Sequence, residues 1–162
     1  MKLKLTAHKT ESPGVVSFIF HASEPLTWKA GQFLHYVLNH SKTDERGSDR
    51  WFTIASAPFE RHVMVTTRFA GGQGSTFKKT LRALKIGDSI EVSDLDGDFT
   101  LTDFKKEYIF IACGIGITPF RSILKQADHD KKPLRATLLY ANRKNVAAYQ
   151  KELETLAKKI PG

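Results

Sequence analysis

Three short stretches of this 162-residue chain carry residue types and spacings suited to holding phosphates. The first is Ala112-Cys113-Gly114-Ile115-Gly116-Ile117-Thr118-Pro119, which follows the apolar run Tyr108 to Ala112. Two glycines one residue apart allow a tight turn and close backbone approach, and Pro119 suits a helix's first turn, where no amide donor is required. Thr118 is expected to cap that helix, whose N-terminus offers amides and partial positive charge to a diphosphate. Proline stands where the common dinucleotide fingerprint has a third glycine. A glycine-rich βα turn that binds nothing is the bland alternative; the flanking strand and helix patterns favour binding.

The second stretch, Ala70-Gly71-Gly72-Gln73-Gly74-Ser75-Thr76, breaks a β pattern ahead of a short helix and offers the same physics. Taken alone it reads equally well as a flexible loop. The third, Arg50-Trp51-Phe52-Thr53-Ile54-Ala55-Ser56-Ala57-Pro58, is a strand opened by a guanidinium able to fork onto the same phosphates. Two anion-ready helix starts ask for two phosphate-bearing cofactors or one large one. On residues alone this is a two-site nucleotide-binding protein.

The elements that must position these stretches follow from pattern. Met1 to Lys9 alternates, Ser12-Pro13-Gly14 turns, and Val15 to His21, Gly31 to Leu38, Arg50 onward and His62 to Phe69 read as further strands, with a polar loop at 40–49. Such spacing suggests a closed antiparallel barrel. Phe77, Leu81 and Leu84 recur at helical spacing behind a Ser75 cap, placing a helix at 75–85 that stops near Gly87. Ser89 to Ser93 returns to strand, and Asp94 to Asp98 turns into Phe99-Thr100-Leu101. From about 103 the character becomes β-α-β-α. Tyr108 to Ala112 reads as a strand covered on both faces, then come a helix from Thr118 to about Gln126, a strand at Arg135 to Tyr140 and a helix at 145–159. Ile160-Pro161-Gly162 reads as the turn into a third parallel strand, so this half is expected to be incomplete as given.

Composition narrows the classes. With 41% apolar and 26% charged residues the chain reads as globular, and no apolar run approaches a membrane span, so a cytoplasmic location is expected. The single cysteine, Cys113, excludes an internal disulfide or a built-in iron–sulfur domain, and reads as a small strand-end residue; the six histidines show no metal-ligand spacing, so no metal is expected. A net charge of +8 is by default a solvated basic surface, or an attraction for dinucleotide phosphates or an acidic electron carrier. Nucleic acid is not expected, since the lysines are scattered with no basic helix or stacking platform.

Together these stretches resemble the ferredoxin–NADP reductase superfamily. Arg50-Trp51-Phe52-Thr53 is similar to its Arg-x-Tyr/Phe-Ser/Thr signature, Gly72-Gln73-Gly74-Ser75 to its flavin-diphosphate turn, Gly114 to Pro119 to its nicotinamide-site Gly-x-Gly-x-x-Pro, and Gly31-Gln32-Phe33 to its approach to the flavin strands. The resemblance implies a six-stranded antiparallel flavin-binding barrel at residues 1–103, then the first part of a parallel α/β NAD(P)-binding domain at 104–162. It implies FAD rather than FMN, NAD(P)H as co-substrate, hydride transfer between them, and electrons passed to a protein such as ferredoxin or flavodoxin, or to a small acceptor. By carry-over Arg50 pairs with the flavin diphosphate, Phe52 packs on the cofactor, Thr53 lies by the hydride-accepting nitrogen as the one catalytic residue, and Ser56 joins the cofactor contacts. The turn at Gly72, Gly74, Ser75 and Thr76 holds the diphosphate, while Gly114, Gly116, Thr118 and Pro119 line the NAD(P)H pocket. Phe52 lacks the phenol that many members carry there. Arg121 and Arg143 read first as solvated arginines. The competing readings are a flavin-holding relay module that needs a partner chain, and a nucleotide-binding domain without flavin.

Overall fold

Alternation governs the first half. In the computed structural model, which describes residues 1–69, 71, 74–143 and 146–160, β1 (Lys2–Ser12) buries Leu3 and Leu5 while Lys2 and Lys4 face water. It pairs antiparallel with β2 (Val15–Ala22) across the Pro13-Gly14 turn. Four more strands, β3 (Phe33–Val37), β4 (Asp49–Thr53), β5 (Val63–Arg68) and β6 (Ser89–Asp96), complete one sheet in the order β4-β3-β6-β1-β2-β5. The sheet is antiparallel and curls into a half-barrel. The expected closed ladder is not present: β4 and β5 are the edges. β4 ends at Thr53; Ile54 adds one more bond in the same register, to the Gln32 carbonyl at 2.9 Å, and the seam beyond it is stitched by Ala55 N to Met64 O at 2.7 Å. α1 (Thr76–Ala83) lays Phe77 and Leu81 on the sheet's inner face, beside Leu3, Leu5, Phe20, Leu34, Tyr36 and Val65. Full burial of such side chains contributes roughly 1.5–3 kcal/mol each.

In the second half β7 (Glu107–Cys113) and β8 (Arg135–Ala141) pair in parallel, joined by a 3₁₀ turn (Gly114–Ile117) and α2 (Thr118–His129). α3 (Gln150–Lys159) starts later than expected, and residue 145 lies outside the described residues. Both helices pack on one face, burying Phe110 and Ala112. The other face leaves Ile109 and Ile111 each 72% exposed, so the two-faced burial expected of β7 is corrected to one. Phe99-Thr100-Leu101 forms no strand.

A second core joins the halves: Val15, Ala55 and Met64 from the sheet side meet Ile117, Phe120, Tyr149 and Leu153. The buried Arg121 reaches from α2 to the Ala55 carbonyl (2.8 Å) and to Glu60 (2.9 Å), and Ser122 donates to the Ser56 carbonyl at 2.7 Å. Among the described residues no helix is long and apolar enough to cross a membrane.

Candidate flavin and nucleotide sites

β4 sets Arg50 opposite Tyr36, Phe52 opposite Leu34 and Thr53 opposite Phe33. Phe52 lies edge-on to Tyr36 at 5.7 Å and tilted on Phe77 at 5.9 Å, so the aromatic wall continues from β4 onto α1. The Arg50 guanidinium sits 5.4 Å from the Phe77 ring. Its Nη1 donates to the carbonyls of Arg46 (2.5 Å), Gly47 and Asp49, while Nη2 is buried with no hydrogen-bond partner among the described residues. A buried charged donor without an acceptor is costly, and it marks a place where an anionic acceptor fits. Lys78 and Arg68 add positive charge nearby: Lys78 Nζ donates to the Arg68 carbonyl at 2.9 Å. Burial first, and then the charges of Arg50 and Arg68, lower the Lys78 pKa.

The start of α1 is organised as expected at Ser75, whose hydroxyl accepts from the Lys78 amide at 3.3 Å. Thr76 is held from a distance. Its amide donates to Asp44 Oδ2 at 2.9 Å and its hydroxyl accepts from the Asp44 amide at 3.0 Å. Gly74 is half-buried just ahead of the cap; Gly72 lies outside the described residues. Thr53 is half-buried at the end of β4, two residues before the Ala55 carbonyl that α2 grips.

On the nucleotide side Gly114 has φ +54, and an added Cβ would stand 3.0 Å from Arg68 Nη2, so both backbone and neighbour favour glycine. Its carbonyl accepts from the Tyr140 hydroxyl at 3.0 Å. An added Cβ at Gly116 meets nothing within 4 Å, so the space around it makes no such demand. Arg68, Gly114, Ile115, Tyr140, Asn142 and Arg143 line part of a cavity of about 310 Å³. It lies at the carboxyl ends of β7 and β8, where open α/β sheets take ligands. Arg143 therefore stands at the cavity and Arg121 does not.

One expectation changes. Thr118 does not cap: it is already helical, and its hydroxyl turns back to the Ile115 carbonyl at 3.2 Å, because the 3₁₀ turn moves the cap position to Ile117. Pro119 occupies the first turn as expected. Ser56 is fully buried, with its hydroxyl donating to the His62 carbonyl at 2.6 Å and accepting from the Met64 amide at 3.0 Å. That closes the seam of the sheet. Sequence reasoning missed Asp44, Arg68 and Lys78. The run of basic residues flanking the second glycine stretch was a signal for Arg68 and Lys78; nothing local pointed to Asp44, 32 residues from its partner.

Known proteins supply an independent view of the same regions. A family model described as the oxidoreductase NAD-binding domain matches residues 110–162. The ferredoxin reductase component of 3-ketosteroid-9-alpha-monooxygenase from Rhodococcus rhodochrous is 29% identical over 98% of this chain and 46% of its own length. Among solved structures, ferredoxin–NADP⁺ reductase from Plasmodium falciparum superposes with a TM-score of 0.82 at 22% identity, over 98% of this chain and 66% of that one. Phthalate dioxygenase reductase, described as a modular structure for electron transfer from pyridine nucleotides to [2Fe-2S], superposes at 0.79 with 25% identity, over 99% of this chain and 50% of that one. The chain has the fold of these reductases, and its second half matches the NAD-binding family model. The family of these relatives binds FAD and NAD(P)H. The chain spans less than half the length of the curated reductase component it matches.

Proposed function

We propose that this chain is the flavin-binding portion, with part of the nicotinamide site, of a reductase that takes electrons from NAD(P)H and delivers them to a separate carrier. Residues 1–103 form the flavin domain in this reading and 104–162 the start of the nucleotide domain. The observation that carries it is the buried, unpartnered Nη2 of Arg50 beside the capped start of α1. FAD bound there supplies the acceptor for a hydride and a store from which electrons leave.

The chain's own residues bind and orient. Arg50, with the backbone of Gly74, Ser75 and Thr76, holds the diphosphate, and Phe52 gives the cofactor an apolar wall. Thr53 presents its hydroxyl at the reacting edge. Gly114, Gly116, Thr118 and Pro119 shape the turn that admits the dinucleotide's phosphates, so that two rings meet between the halves with little motion left to lose. The net charge of +8 supports an acidic carrier such as ferredoxin or flavodoxin.

The test is an FAD titration of the wild type and of Arg50→Ala, followed by anaerobic addition of NADPH or NADH. Loss of one charge-assisted pair, ~1.5–3 kcal/mol, lowers FAD affinity at least about tenfold. Equal affinities would remove Arg50 from the diphosphate site. Flavin colour that bleaches with either dinucleotide supports the reductase, and an unchanged spectrum supports the relay module.

A further inference from the structure

The loop from Asn39 to Asp49 carries no buried residue, yet it places a carboxylate at the start of α1. Asp44 Oδ2 accepts from the Thr76 amide at 2.9 Å and from Arg46 Nη2 at 2.7 Å, and Oδ1 accepts from the Arg46 amide at 3.1 Å. The same loop supplies the carbonyls of Arg46, Gly47 and Asp49 that hold Arg50 Nη1. A single surface loop therefore engages the two groups assigned to the diphosphate, the first-turn amide and the arginine.

Resting on the flavin reading above, we infer that Asp44 is a resident anion that occupies the phosphate seat in the ligand-free protein and leaves it when a diphosphate arrives. A carboxylate and a phosphate oxygen make the same demand on a helix N-terminus, which is one acceptor with negative charge. Asp44 satisfies that demand only in part. It reaches the Thr76 amide and Arg46, while Arg50 Nη2 stays without an acceptor among the described residues. A diphosphate carries more charge and more acceptors, so it can satisfy both groups at once.

Departure is cheap. The Asp44 side chain is 23% exposed and that of Arg46 is 50% exposed, so water replaces part of what leaving gives up, and no residue of 39–49 is itself buried. Leaving also frees the Arg46 guanidinium for the entering phosphates. A cap built into the bound state would behave oppositely, because removing it would weaken the site.

The experiment compares FAD and inorganic pyrophosphate binding to the wild type, Asp44→Ala and Asp44→Asn by calorimetry. Asn keeps an acceptor for the Thr76 amide and guards against loss of the helix start. The expected result is a gain in affinity for both ligands, about tenfold for Ala, the weight of one charge-assisted hydrogen bond no longer in competition, and smaller for Asn. Unchanged or weakened affinity in both variants would overturn the inference. If FAD binds none of the proteins while pyrophosphate binds the variants more tightly, the resident anion stands and the flavin reading falls.

Discussion

Arg121→Met removes a buried charged side chain that, with Lys125, bridges the two halves. The Arg121 residue is 6% exposed. It donates to the Ala55 carbonyl and to both Glu60 oxygens (2.9 and 3.2 Å), pairs with Glu152 at 2.9 Å, and stacks 5.1 Å from the Tyr149 ring. Burial works against the Glu60 carboxylate, but the hydrogen bonds and charge of Arg121, then the Ala57 amide and Lys125, outweigh it and hold its pKa at about 2 instead of 4.5. A carboxylate depressed in the folded state stabilises fully above its unfolded pKa and ceases to do so as pH falls through the folded one. The shift corresponds to ~3 kcal/mol, reduced to ~2 kcal/mol because solvent reaches part of the group. Removing Arg121 leaves that carboxylate and the Ala55 carbonyl short of a donor, an expected loss of ~3–5 kcal/mol at neutral pH. Urea unfolding from neutral pH down to about 3 checks both numbers. The wild type should lose stability below 4.5, and the variant should start lower and follow a flatter profile. A loss under ~1 kcal/mol with the wild-type acid slope retained would refute this account of Arg121.

Gly31 has φ +101, and an added Cβ would run into the Phe99 carbonyl and lie 3.3 Å from Ile123 Cδ1. Gly31→Ala is therefore expected to cost ~3 kcal/mol or more, seen as a large drop in Tm; a Tm matching the wild type counts against this packing. Lys78 gives a pH signature. Because burial, Arg50 and Arg68 lower its pKa from 10.5, an entering diphosphate raises it again, so binding takes up a proton and weakens as pH rises through the lowered pKa. Calorimetry with pyrophosphate should show that decline in the wild type and less of it in Lys78→Met; parallel profiles would remove Lys78 from the site.

The strands, the helix behind Ser75, the parallel βα unit and its glycine turn were legible because each rests on local chemistry: alternation in Lys2 to Leu5, helical spacing of Phe77 and Leu81, and the glycine and proline at 114 and 119. Misreadings arose where distant partners decide. Thr118 looked like a cap because the 3₁₀ turn ahead of it has no sequence signal separate from the glycines. β7 looked covered on both faces because an apolar run does not say which face the helices choose. Arg121 looked solvated because its acceptors sit 61 and 66 residues away, at Glu60 and Ala55. Asp44 was invisible for the same reason.

These long-range contacts change the meaning of Arg50 to Pro58. Its first four residues run in β4, and Arg50 and Phe52 lean toward α1. After Ile54 the chain leaves the ladder: Ile54 belongs to the core under the sheet, Ala55 to the core between the halves, and the carbonyls of Ala55 and Ser56 receive Arg121 and Ser122 of α2. The stretch is thus a wall for one site up to Thr53 and a docking rail for the other from Ala55 on. α2 begins at the nucleotide turn, so the separation between the two sites is set by how many residues lie between Thr53 and the rail. Hydride transfer tolerates little error in distance, and a rail that begins two residues beyond Thr53 leaves little slack for one. Ser56 holds the register of that rail, its buried hydroxyl bonded to the His62 carbonyl and the Met64 amide.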